Sequence, residues 1–71
     1  MENREQLIAR GLKIIALGFP SFDVNAWPVF FTETDEYWEV TFESDGQSLV
    51  SFPFVRFRKS DESILMVGRY Q

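Results

Sequence analysis

The spacing of apolar residues changes once along this chain, and that change limits the folds it can adopt. In residues 4–17 apolar or small side chains recur every three or four positions (Leu7, Ile8, Gly11, Leu12 and Ile15), as in an amphipathic helix with one buried face. From Trp27 onward they recur every second position, which is typical of β-strands. This order predicts an α+β fold with one N-terminal helix.

Terminating residues delimit the predicted helix. Asn3 suits the N-cap, and Gln6 stands in the capping-box position three residues later. Gly18 is expected to cap the C-terminus, before Pro20. Gly11 costs about 1 kcal/mol relative to Ala within a helix, so we interpret it as a point of close approach to a sheet; a merely tolerated glycine is the alternative.

Polar turns divide the remaining chain into four predicted strands. The strands are expected at residues 27–32, 37–43, 48–58 and 64–67, with turns at 33–36, 44–47 and 59–62. Pro28 favours an edge position for the first strand, and the connector at 19–26 brings Phe19 and Phe22 to the end of the core. We therefore expect residues 1–71 to form a single domain, one helix packed on a four-stranded antiparallel meander. The expected core comprises Leu7, Ile8, Leu12, Ile15, Trp38, Val40 and Phe42.

In the third predicted strand the apolar residues shift from one sheet face to the other. Phe52 and Phe54 are apolar at even positions, whereas Val55 and Phe57 are apolar at odd ones. The change indicates either a bulge or twist near residues 53–55 or apolar contacts on both sheet faces. Because one helix cannot cover all these aromatics, we expect an interface with a partner or a homodimer.

Missing residue types restrict the chemistry. The 71 residues include no Cys and no His, so there is no disulfide or thiolate, and the commonest metal ligand and acid–base group is absent. We therefore predict a protein that is not an enzyme, with no cofactor and no metal. The net charge of −4 disfavours nucleic acid and anionic membranes. No membrane-length apolar run or signal-peptide pattern is visible, so a cytoplasmic location is expected.

Acidic side chains are concentrated in residues 23–45, which hold seven acids and no base. We predict that this segment binds a basic protein partner, with complementary charge steering association. The candidate partner-binding residues are Glu33, Asp35, Glu36, Tyr37, Glu39, Thr41, Glu43 and Asp45. A solvated surface kept soluble by acids is the alternative. Glu39 and Glu43 stand roughly 13 Å apart along a strand, too far for one catalytic pair.

The basic cluster Arg56, Arg58 and Lys59 alternates with phenylalanines. Such alternation can bind single-stranded nucleic acid, but three charges beside an acidic strand favour cross-strand pairing with Glu36 or Glu39.

A family resemblance adds to this interpretation. Residues 37–42 (Tyr-Trp-Glu-Val-Thr-Phe) resemble the Trp-centred strand of small bacterial proteins with immunity functions in polymorphic toxin systems. Residues 52–55 (Phe-Pro-Phe-Val) and 59–64 (Lys-Ser-Asp-Glu-Ser-Ile) are similar to that family's Pro-led apolar strand, charged turn and closing strand. The resemblance covers residues 37–68 and implies a compact cystatin-like fold and an immunity-type inhibitor.

Three functions are compatible with the sequence. The first is a non-catalytic binding protein that neutralises a larger basic protein, a toxin or a defence protein, through an acidic sheet face. The alternative is a small homo-oligomeric structural or regulatory subunit, of a kind that phages can also encode. The third, an enzyme or ligand carrier with a cavity under the sheet, is disfavoured because so small a core leaves little room for a pocket of about 300 Å³.

Overall fold

The computed structural model describes residues 4–43 and 52–70, in which one helix precedes four strands. Helix α1 spans Arg4–Gly18, and the strands are β1 (Val29–Glu33), β2 (Tyr37–Phe42), β3 (Pro53–Arg58) and β4 (Ile64–Arg69). The strands pair antiparallel in the order β1-β2-β3-β4. The predicted α+β fold, one N-terminal helix on a four-stranded antiparallel meander, is therefore confirmed.

Helix α1 packs across the two central strands of the sheet through its buried residues Leu7, Gly11 and Ile15. A Cβ atom added to Gly11 would lie 2.8 Å from the Cβ of Val40, well inside the 3.5–4.0 Å of an ordinary carbon–carbon contact. The absence of a side chain at Gly11 thus permits the close approach that the sequence predicts.

The end of α1 differs from its prediction. Gly18 is the last helical residue rather than a cap beyond the helix, and its φ lies outside the left-handed region. The N–H of Phe19 continues the pattern by donating to the carbonyl of Ile15 at 2.8 Å. The connector prediction is confirmed, since Phe19 and Phe22 pack against the core, with the Phe22 and Phe42 rings 4.8 Å apart.

The core is larger than the sequence predicts. Leu7, Ile15, Val40 and Phe42 are buried as expected, and the other predicted core residues, Ile8, Leu12 and Trp38, are partly buried against them. Phe52, Val55 and Phe57 complete the buried cluster. Each such aliphatic or aromatic side chain contributes about 1.5–3 kcal/mol when fully buried.

Strand β3 makes apolar contacts on both sheet faces, as one of the two predictions proposed. Phe52, just before the strand, contacts Trp27 on the helix-covered face with ring centroids 5.1 Å apart. Phe54 instead contacts Tyr70 on the opposite face at 4.7 Å. The register shift lies between Arg56 and Phe57, beyond the residues 53–55 where a bulge was expected.

Strand boundaries otherwise follow the sequence closely. Strand β1 starts two residues later than predicted, because Trp27 precedes the strand and packs against the core. Its edge position, which Pro28 indicates, is confirmed. The predicted N-cap Asn3, the turn at 44–47 and the segment 48–51 lie outside the described residues.

Candidate functional site

The face of the sheet opposite α1, called here the open face, carries a buried ion pair. Glu39 of β2 stands directly across from Arg56 of β3, and the Arg56 Nε donates to the Glu39 Oε1 at 2.7 Å. The Tyr70 hydroxyl donates to the other oxygen, Oε2. Glu39 is only 5% exposed although no helix covers it, so both carboxylate oxygens are satisfied within the protein.

Aromatic rings hold the Arg56 guanidinium in place. Its central carbon lies 4.7 Å from the ring centroid of Tyr37 and 4.7 Å from that of Phe54, which is cation–π distance on both sides. The Tyr70 ring in turn packs on Phe54. A Cβ on Gly68 would come within 3.0 Å of the Phe54 ring, so glycine allows that ring to lie flat against β4.

The protonation states follow from these contacts. Hydrogen bonds to Glu39 and Tyr70 raise the pKa of Arg56 further above its usual range. Burial, and secondly the hydrogen bond to Glu39, raises the pKa of the Tyr70 phenol. At neutral pH the Tyr70 hydroxyl therefore remains a donor, as the network requires.

The network confirms one prediction and corrects another. Cross-strand pairing of the basic cluster is confirmed, since Arg56 pairs with Glu39 and Lys59 pairs with Glu33 rather than Glu36. The placement of Glu39 and Thr41 on an exposed partner-binding surface is wrong. Glu39 is enclosed by Arg56 and Tyr70, and Thr41 is buried with its hydroxyl donating to the Pro53 carbonyl at 3.0 Å.

Sequence reasoning missed Tyr70, although a signal for it exists. Met66, Gly68 and Tyr70 occupy alternate positions along β4 and its extension, and Met66 pairs with Arg56. Alternation therefore places Tyr70 on the same face as Arg56. No local pattern indicates that its hydroxyl reaches a residue 31 positions earlier.

The other predicted acids collect mainly in the turn between β1 and β2. Glu33, Asp35 and Glu36 are exposed there. The turn is held by Thr34, whose Oγ1 accepts from the N–H groups of Glu36 at 3.2 Å and Tyr37 at 3.1 Å. These three carboxylates are therefore presented on an ordered backbone.

The turn between β3 and β4 lies beside it. The Lys59 N–H donates to the Glu36 carbonyl at 3.2 Å, and the Lys59 ammonium pairs with Glu33. This second turn adds Asp61 and Glu62, and hydrogen bonds from the Ser63 hydroxyl and N–H lower the pKa of Asp61. We call Glu33, Asp35, Glu36, Asp61 and Glu62 together the acidic end of the sheet.

The remaining predicted site residues lie apart from this end. Glu43 is exposed just beyond the opposite end of β2, where its N–H donates to the Pro28 carbonyl at 2.8 Å. Tyr37 is half-buried under Arg56. Asp45 lies outside the described residues. The structure thus brings together three of the eight predicted residues, Glu33, Asp35 and Glu36, as an exposed charged group.

The geometry of the described residues offers neither a pocket nor a metal site. Residues 4–43 and 52–70 form no pocket, and within them no group of three or more carboxylates has the arrangement of a metal site. The helix in this part of the chain is too short and too polar to cross a membrane. The acidic end and the open face are therefore the candidate sites within these residues.

A scan against models of known families, a search of curated proteins and a search of solved structures each gave no match to this chain.

Proposed function

We propose that this protein is a non-catalytic binding protein that neutralises a larger basic protein by docking its acidic end onto it. The exposed, ordered cluster of Glu33, Asp35 and Glu36 carries the proposal. It replaces the wider acidic sheet face expected from the sequence, because Glu39 is buried and neutralised by Arg56.

Charge balance at this end supports a basic partner. Five carboxylates stand at the acidic end, against three cations, Arg58, Lys59 and Arg10 of α1, whose guanidinium donates to the Glu62 carbonyl at 3.2 Å. One of those cations is already paired with Glu33. An excess of negative charge on a protruding end attracts a cationic surface over about a Debye length, 8–10 Å at physiological salt, and accelerates association.

Preorganisation supports the same proposal. Hydrogen bonds to the Thr34 hydroxyl oxygen and from the Lys59 N–H fix the acidic turn before any partner arrives. Less conformational entropy is then lost on docking. The resemblance of residues 37–68 to bacterial immunity proteins agrees with a partner of the toxin class, and a cytoplasmic location forms part of the proposal.

A matched pair of charge reversals tests the site. Affinity capture from the native host, followed by mass spectrometry, is carried out with wild-type protein, Glu36→Lys and Glu43→Lys as baits. Both residues are exposed glutamates beside an end of β2, so each variant changes the net charge equally. We expect Glu36→Lys to lose a basic protein that wild type and Glu43→Lys retain.

Association kinetics with the captured protein then test the mechanism. Steering by charge contributes about tenfold to a thousandfold to association rates, so Glu36→Lys should associate at least about tenfold more slowly at low salt, with a shallower salt dependence. Equal loss of binding in both variants, or in neither, would refute the acidic end as the docking site.

A further inference from the structure

Strand β4 is an edge strand whose apolar side chains are exposed along its length. It lies at one end of the sheet order, and four successive side chains are partly in water: Ile64 50%, Leu65 42%, Met66 49% and Val67 41%. Natural sheet edges are usually protected by Lys, Pro or other charged residues. None of these occurs from Ile64 to Gly68. A local bulge lies at Leu65, which the register skips between the Arg56–Met66 and Phe57–Ile64 pairs, and the edge is otherwise open to a further strand.

The opposite edge, β1, also exposes the apolar side chains of Val29 and Phe30, but a proline and an ion pair flank it. Pro28 immediately precedes the strand, and Glu33 at its end pairs with Lys59. The Arg4 guanidinium also covers the Phe31 ring, 5.3 Å from its centroid. The two edges of the sheet therefore differ in how readily they can accept another chain.

Backbone geometry shows which groups of β4 are available. The Tyr70 N–H donates to the Phe52 carbonyl at 2.9 Å. Since hydrogen-bonding direction alternates along an antiparallel strand, the backbone groups of Gly68 and Met66 face β3. Those of Val67 and Arg69 face away from the sheet, where a fifth strand could bond to them.

The charges at the two ends of β4 indicate which chain would pair with its open edge. Asp61 and Glu62 precede the strand, and Arg69 ends it. The Arg69 guanidinium packs on the Phe19 ring at 5.0 Å and forms no ion pair with a carboxylate in the described part of the chain. Antiparallel pairing with an identical strand brings Arg69 of each copy to the acidic turn of the other, whereas parallel pairing brings like charges together.

We propose that β4 pairs antiparallel with β4 of a second copy about a two-fold axis at Met66, so that two four-stranded sheets become one continuous sheet. In this register Val67 stands opposite Leu65 of the second copy. Arg69 then lies near its Ser63, which follows the acidic turn that holds Asp61 and Glu62.

The size of this interface sets its strength. A six-residue strand spans about 20 Å, and pairing along it buries less than the 1,200–2,000 Å² or so typical of stable complexes. The dimer is therefore weak and depends on protein concentration. This interface borders Asp61 and Glu62 of the acidic end but does not use Glu33, Asp35 or Glu36, so it stands whether or not a basic protein is captured.

A single cysteine tests both the pairing and its register. The chain has no Cys, so Met66→Cys introduces one thiol per chain. Two such residues facing each other at a non-hydrogen-bonded position have Cα atoms about 4.5 Å apart, which a disulfide can span. The control is Leu17→Cys on α1, where the native side chain is 76% exposed. We expect rapid disulfide-linked dimers from Met66→Cys in a glutathione buffer; cross-linking no faster than for Leu17→Cys would overturn the register.

Sedimentation velocity from low micromolar to submillimolar concentration tests the association itself. We expect wild type and Leu17→Lys to dimerise alike, and Val67→Lys to raise the dissociation constant at least about tenfold because it places a charge on the open edge. Circular dichroism establishes that each variant is folded. Wild type that stays monomeric throughout, or folded Val67→Lys that dimerises as wild type does, would overturn the proposal. Glu36→Lys should leave dimerisation unchanged, which separates this test from that of partner capture.

Discussion

Replacing Gly11 with Ala tests how closely α1 lies against the sheet. The added methyl carbon would stand 2.8, 2.9 and 3.0 Å from the Cβ, Cγ2 and Cγ1 atoms of Val40. Val40 cannot move aside easily, because it is fully buried between its strand neighbours Phe31 and Val55 and β-branched side chains have few rotamers. The helix must therefore move outward or the strand must bend.

Two opposing effects set the size of the change. Overpacking a core by one methyl group typically costs about 1–3 kcal/mol, whereas Ala improves helix propensity by about 1 kcal/mol over Gly. The difference between these effects is about 0–2 kcal/mol. Because the added methyl group makes three contacts of 3.0 Å or less, we expect Gly11→Ala to lower the free energy of unfolding by about 1–2 kcal/mol, the upper half of that range. At 4–8 °C per kcal/mol for a domain of this size, the Tm falls by roughly 5–15 °C.

Gly18→Ala is the matched control, since nothing lies within 4 Å of a Cβ at that position. It should leave stability unchanged or raise it slightly. Urea unfolding followed by Trp fluorescence measures both variants. The double variant Gly11→Ala/Val40→Ala should regain only part of the stability lost in Gly11→Ala, because the Cβ atom at position 40, 2.8 Å from the added methyl carbon, remains. Gly11→Ala as stable as Gly18→Ala would show that the close approach is not maintained in solution.

Three further predictions concern the open face and the second turn. Arg56→Met should cost about 1.5–3 kcal/mol, because the Glu39 carboxylate loses its charged hydrogen-bond partner and keeps only the bond from Tyr70; urea unfolding measures this, and wild-type stability in the variant would contradict it. The raised pKa of Tyr70 means that its contribution to stability is complete below the unfolded pKa of about 10 and is lost as pH rises through the higher folded value. Tyr70→Phe should therefore flatten the alkaline part of the stability profile, and identical profiles would argue against the network. Glu62 has a left-handed φ of 60°, so Glu62→Gly should stabilise by about 0.5–1 kcal/mol and Glu62→Val should destabilise; thermal unfolding that ranks them in the reverse order would refute this.

The elements of the fold follow from sequence because their signals are local. The change from helical to alternating spacing locates α1 and the strands, and Gly11 marks the contact between helix and sheet. Opposite charges on adjacent predicted strands likewise indicate that Arg56 pairs across the sheet. Val55 and Phe57 were missing from the expected core because β3 is apolar on both faces, so alternation does not distinguish them from Phe54.

The burial of Glu39 could not be predicted in this way. Alternation shows which residues share a face, and an acidic residue on the face away from the helix is normally solvated. Here the cover comes from Arg56 and Tyr70, which lie 17 and 31 positions away along the chain. The candidate site is consequently the acidic end, where Glu33, Asp35 and Glu36 are exposed, and not the middle of β2 as the sequence predicts.

The hydrogen bond between Glu39 and Tyr70 also makes the open face depend on a residue that follows the last strand. Helix α1 and strands β1 to β3 make their own contacts without Tyr70. Without it, one oxygen of Glu39 and one side of the Phe54 ring lack their native cover. A chain truncated before Tyr70 should therefore retain the helix and the sheet but be cleaved by proteases faster than one that includes it.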